Sequence, residues 1–95
     1  MFRISVVETR GHRRLVLEGK LISPWTAEVE RTWRVAQEEL QGRKLIIDLT
    51  NVTLISSDGE NTLLGMMRDG ARFSSGDVLT KHVLRRLARR CGGKD

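Results

Sequence analysis

KLIIDLTNVTLISSDGENTLL, residues 44–64, decides the fold. Leu45, Ile46, Ile47 and Leu49 make a nearly continuous apolar run broken only by Asp48. Such a run predicts a strand covered on both faces. Asn51 is expected to turn the chain, and VTLI to bring it back to the core. Ser57-Asp58-Gly59-Glu60 then fits a capping box, with serine at the N-cap and glutamate three residues on. The stretch from about Gly59 to Asp69 carries Leu63, Leu64, Met66 and Met67 and is closed by Gly70, which predicts a short helix. At least one of the two methionines belongs in its core face.

Working outward, FRISVVE sets Phe2, Ile4 and Val6 against Arg3, Ser5 and Val7, the period of a half-buried strand. A turn at Gly11 and a second strand with Leu15 and Leu17 on one face predict a hairpin ending near Gly19, or extended by Lys20, Leu21 and Ile22. Ser23-Pro24 predicts a helix start, with Ser23 as N-cap and Pro24 at the first helical position. Trp25, Val29, Thr32 or Trp33, Ala36 and Leu40 recur at helical spacing, giving an amphipathic helix that runs to about Gly42, and the two tryptophans suit the core better than a stacking platform. Beyond Gly70, Ala71, Arg72 and Phe73 suit a short strand. Thr80 is expected to cap a last helix with an apolar stripe of Val83, Leu84, Leu87, Ala88 and Cys91. The order implies an α/β domain over residues 1–95, frayed at 91–95: one mixed sheet of four to five strands with three to four helices packed on it.

Composition removes several functions. Ninety-five residues bury a small core without a deep cavity. The lone Cys91 forms no internal disulfide, so a reduced, cytoplasmic setting is expected. No apolar run approaches the ~18 residues of a membrane span, and the N-terminal stretch lacks a signal-peptide layout. His12 and His82 are paired with no acid and serine in sequence, and no metal-ligand spacing, Walker A lysine loop or dinucleotide glycine fingerprint occurs; Gly70 and Gly76 around Phe73 read as helix end and turn, with a phosphate-cradling loop as the minor alternative. No catalytic residue, metal or cofactor is therefore expected, and the chain is read as a non-enzyme. Asp58, Glu60 and Asp69 suit helix ends better than a catalytic carboxylate pair. Net charge is +5, and the basic residues cluster at Arg10–Arg14 and Lys81–Arg90. Solvated basic faces explain such clusters. The rival explanation is nucleic-acid binding by the last helix through Arg86, Arg89 and Arg90.

A serine at a helix start can cap it, and it can also carry a phosphate. Free backbone N–H groups and the positive dipole end favour a dianion there. A phosphate there adds nearly two negative charges to the surface and can abolish a partner interface by repulsion and desolvation without unfolding the domain.

The 44–64 segment resembles the core of a STAS domain, the module of bacterial anti-sigma factor antagonists. There an apolar strand, Asp-Leu-Ser or Thr, and an apolar turn precede Asp-Ser-Ser-Gly at a helix start. LVLEGKL followed by the Ser23-Pro24 helix is similar to the same module, and the likeness runs from about residue 2 to 91. The resemblance implies a regulatory domain that binds an anti-sigma factor, itself a serine protein kinase, and is reset by a phosphatase. It places the phosphoacceptor on Ser57, with Ser56 as second choice. The implied partner surface is Ser56, Ser57, Asp58, Gly59, Glu60, Asn61 and the exposed side of the second helix, including Leu64 and Arg68. The chain departs from the pattern at Ser56, where the family has an acid, at Asp58, where it has a serine, and at Glu60, where it has an apolar residue. A scaffold domain without phosphoregulation is the alternative within the family. An uncovered short strand would also permit pairing into a homodimer.

Overall fold

The computed structural model describes residues 2–92, with the backbone alone at Leu79. β1 (Phe2–Glu8) and β2 (His12–Leu21) form the expected hairpin, antiparallel and in register from Phe2↔Gly19 to Glu8↔Arg13. α1 (Trp25–Ala36) leads to β3 (Lys44–Ile55), which lies parallel to β2. α2 (Ser57–Arg68) leads to β4 (Arg72–Ser74), parallel to β3, and α3 (Val78–Gly92) follows. Sheet order is β1-β2-β3-β4. This is the mixed α/β sheet that the periodicities imply, with four strands and three helices among the described residues.

The β2-α1-β3 and β3-α2-β4 crossovers step across the sheet in one direction. Parallel crossovers are right-handed, so both helices land on the same face. Leu15, Leu17 and Leu21 of β2 and Ile47, Leu49 and Val52 of β3 meet Val29, Trp33, Leu63, Met66 and Leu87 there in one core. The second face, expected to be covered as well, is not. Its Arg14, Val16, Glu18, Ile46 and Asp48 are only half-buried.

Several local expectations are corrected by contacts from distant residues. Asn51 does not turn the chain; β3 continues to Ile55 while its register with β2 slips between Val16 and Glu18 and again between Gly19 and Lys20. Thr50 N–H donates to Asp48 Oδ1 (2.9 Å) at the first slip, so the extra residue is absorbed as a bulge rather than a turn. α1 begins at Trp25 with Pro24 as N-cap and no side-chain cap bond, so Ser23 is not the cap. It stops at Ala36, well short of Gly42. Arg13 Nη1 donates to the carbonyls of Ala36 and Glu38 (both 2.8 Å), satisfying the helix end from the hairpin. Trp33 is core, but Trp25 is 40% exposed and stacks on Phe2 with ring centroids 6.2 Å apart. Val6 is half-exposed on the edge strand. α3 starts at Val78, and Asp77 Oδ1 accepts from Thr80 N–H (2.6 Å); Thr80 is buried rather than a cap. Ala88 faces solvent. Cys91 and Gly92, expected to fray, complete α3, and residues 93–95 lie outside the described residues.

The open face carries a polar cluster across three strands. Arg14 Nη2 lies 3.3 Å from Asp48 Oδ2 and donates to Ser74 Oγ at 3.1 Å. Burial pushes the Asp48 carboxyl up, but the Thr50 hydrogen bonds and the Arg14 charge outweigh it and hold it below its ordinary 3.8. Glu8 bonds Arg13 and Arg43; chiefly the Arg13 hydrogen bond holds it below its ordinary 4.5. A carboxyl with a depressed folded pKa stabilises the fold above its unfolded pKa, and that contribution fades as pH falls through the folded value. The urea midpoint is therefore expected to drop between about pH 7 and about pH 3. Asp48→Asn should start lower at neutral pH and lose less on acidification. An equal loss in both proteins would contradict the assignment.

Candidate functional site at the start of the second helix

The site begins where β3 ends. Ser56 N–H donates to the Leu21 carbonyl (3.1 Å) at the end of β2, and Ser56 Oγ donates to the same oxygen (3.3 Å). These bonds keep Ser56 extended, at φ −79° and ψ 176°, so it becomes the last residue before the helix. Its Oγ accepts from Gly59 N–H at 3.1 Å, and its carbonyl accepts from Glu60 N–H at 2.8 Å. Ser56, not Ser57, is therefore the N-cap, worth about 1 kcal/mol. The expected capping box is one residue out of register.

The shift changes every neighbour. Ser57 becomes the first helical residue and is exposed, as are Asp58 and Asn61. Among the described residues, no hydrogen bond of the Ser57 side chain is seen. Glu60 falls one residue beyond the position from which a capping-box carboxylate reaches back to the cap. It reaches α3 instead, where Glu60 Oε2 lies 2.6 Å from Arg86 Nη2. This takes up one of the three arginines on which nucleic-acid binding would rest. Gly59 is buried: a Cβ there would stand 2.5 Å from the Leu21 carbonyl oxygen. Leu64 is 5% exposed and belongs to the core, because its place in the helix turns it under the sheet. The expected contact surface therefore loses Gly59 and Leu64. It keeps Ser57, Asp58, Asn61 and Arg68, with Ser56 and Glu60 partly buried at its edge. Gly65, overlooked in the sequence, lies on the same outward stripe with open space above it. Met66 is core and Met67 is half-buried.

Next to this surface is an open cleft of about 730 Å³ between the second half of β3 and α3. Thr50 to Ile55 form one side, Asp77, Thr80, His82, Val83 and Arg86 the other, and Glu60 lies at the end toward α2. Leu54 is 51% exposed there. Local patterns could not reveal this cleft, since it arises from the relative lengths of β3 and β4. Among the described residues, no three of His, Cys, Asp and Glu stand close enough to hold a metal ion. No helix among them is long and apolar enough to cross a membrane.

No family model matches the sequence. No curated protein matches it. Solved structures do match the fold. One is an anti-sigma factor antagonist STAS domain from Rhodobacter sphaeroides, with a TM-score of 0.51, 16% identity, and coverage of 78% of this chain and 84% of that one. Another is an uncharacterized DUF3478-family protein with a SpoIIAA-like fold from Shewanella loihica, with a TM-score of 0.60, 14% identity, and coverage of 94% of this chain and 78% of that one. At such identities the likeness is one of fold: the chain has the α/β fold of the STAS domain.

Proposed function

We propose that this chain is a bacterial, cytoplasmic regulatory domain that acts by binding rather than catalysis. Its partner is an anti-sigma factor that is also a serine protein kinase, and the contact is made by the start of α2. The observation that carries this reading is Ser57. It is exposed, it opens a 12-residue helix, and the capping duty falls on its neighbour Ser56. Its hydroxyl can thus accept phosphate without costing the helix its cap. A phosphate there would sit at the positive end of the helix dipole, so the fold would hold. It would also add nearly two negative charges beside Asp58 and Glu60. Unmodified, the face binds the kinase and releases the transcription factor held by it; modified, it is repelled until a phosphatase resets it.

The test is incubation with candidate serine-kinase anti-sigma factors and ATP, followed by mass spectrometry and size-exclusion chromatography. Phosphate is expected on Ser57 and is lost in Ser57→Ala, which still forms the complex. Ser57→Asp is expected to weaken the complex by tenfold or more, about 1.4 kcal/mol. Ser56→Ala should keep the phosphate while losing about 1 kcal/mol of stability. Phosphate on Ser56 instead, or neither phosphate nor complex, would overturn the assignment.

A further inference from the structure

The net charge of this chain sits on α3. The helix holds Lys81, Arg85, Arg86, Arg89 and Arg90 and no carboxylate, so it alone equals the +5 of the whole chain, and everything else balances to zero. All five cations are exposed. The apolar side of α3 is turned inward: Val83 and Leu87 are core, and Leu84 and Cys91 pack against it.

Helix stability accounts for only part of this set. Arg89 and Arg90 fall in the last turn, where the dipole favours cations. Arg86 meets Glu60 of α2 at 2.6 Å. Lys81 and Arg85 lie in the first half, which gains nothing from the dipole. Among the described residues, no ion pair of Lys81, Arg85, Arg89 or Arg90 is seen. The pairs Lys81–Arg85, Arg85–Arg89 and Arg86–Arg90 are four residues apart, where like charges destabilise a helix. The fold therefore carries this row against its own stability. Asp77, one turn before Lys81, bonds Thr80 N–H at the helix start. A polyanion would thus be held chiefly by Arg85, Arg89 and Arg90, with Lys81 extending the row.

The geometry separates the possible partners. Lys81, Arg85 and Arg89 follow one another at every fourth residue, about 6 Å apart along the axis, and Arg90 stands about 180° around the helix from Lys81. A membrane-bound helix lays its apolar face into the bilayer, but that face of α3 belongs to the core. A flat anionic surface also cannot meet Lys81 and Arg90 together. An acidic protein face would need carboxylates placed one by one. Duplex DNA carries a charge about every 1.7 Å of its axis, so it meets evenly spaced cations in any register. Its major groove admits a helix between two phosphate backbones. α3 has no Phe, Tyr or Trp to stack on bases, so a single strand offers it nothing more.

We propose that the exposed side of α3 binds the phosphate backbone of duplex DNA without reading its sequence. Arg85, Arg89 and Arg90 make the contacts with Lys81, while Arg86 stays with Glu60. This goes beyond kinase binding by the start of α2 and shares no residue with it, so either can fail alone.

The probes are two fluorescein-labelled duplexes of unrelated sequence, titrated with the whole chain and followed by anisotropy. Both are expected to bind equally well. Affinity should fall about 50- to 100-fold between about 50 and about 200 mM salt, a log–log slope of about −3 to −4 for three or four phosphate contacts. Arg85→Gln and Arg89→Gln should each make the slope shallower by about 1. Arg34→Gln removes an exposed charge from α1 and should leave the slope unchanged. Should an α3 variant misfold, the slope of the unaltered chain still counts the contacts. The proposal is overturned by no binding at low salt, by an equal change of slope in Arg34→Gln and the α3 variants, or by tighter binding of an oligo-dT strand, phosphatidylserine vesicles or poly-glutamate than of the duplexes.

Discussion

Gly59→Ala is expected to destabilise the fold by about 1–3 kcal/mol, lowering Tm by roughly 4–8 °C per kcal/mol. Two effects compete. Alanine is the better helix former by about 1 kcal/mol. Against this, the new methyl would stand 2.5 Å from the Leu21 carbonyl oxygen and 3.1 Å from both Leu21 Cγ and Ile55 Cγ2. The nearest of these is backbone and cannot rotate away. The same oxygen also accepts from Ser56 N–H and Ser56 Oγ. Moving α2 outward to make room would stretch both bonds and tilt the helix start that presents Ser57. The clash therefore outweighs the propensity gain. Gly65→Ala isolates the other effect. It lies in the same helix, and a methyl added there would meet nothing within 4 Å, so a gain of about 1 kcal/mol is expected. Urea denaturation of the two variants should give shifts of opposite sign. A stabilised Gly59→Ala would show that α2 is not seated on the end of β2 as described.

The glycine pair also shows which features a sequence exposes. Both glycines sit in one helix, and nothing local separates them; only the approach of Leu21, far back in the chain, does. The same holds for the cap. Ser56 and Ser57 are equivalent by residue type, and the Leu21 carbonyl breaks the tie. The end of α1 at Ala36 depends on Arg13, 23 residues earlier. Helix and strand identities were legible because they rest on local periodicity, as in Val29-Trp33-Ala36 and Leu15-Leu17. A helix start at the Ser56-Ser57 pair was legible because it follows from local pattern, but which serine caps it and which hydroxyl stays free was not. Burial of Leu64 and the open edge of β3 were not, since each depends on which elements the topology brings together.

Leu63→Ala is expected to cost about 2–5 kcal/mol, the largest single loss proposed for this chain. Leu63 is fully buried, and it joins the inner side of α2 to the core formed with β2, β3 and α3. Truncation removes its transfer free energy and leaves a cavity that a sheet-backed core cannot fill by collapse. With total stability on the order of 5–15 kcal/mol, such a loss takes a large share of the margin. Leu54→Ala supplies the contrast. Leu54 is 51% exposed in the cleft, so its truncation should change stability by no more than about 0.5 kcal/mol. Two leucines nine positions apart would thus report different things, one on the seating of α2 and the other on the cleft surface. Equilibrium urea unfolding at neutral pH measures both. Equal losses would mean that Leu63 is not held in the core, and the helix that presents Ser57 would then lack the rigid footing that a phosphate-controlled surface requires.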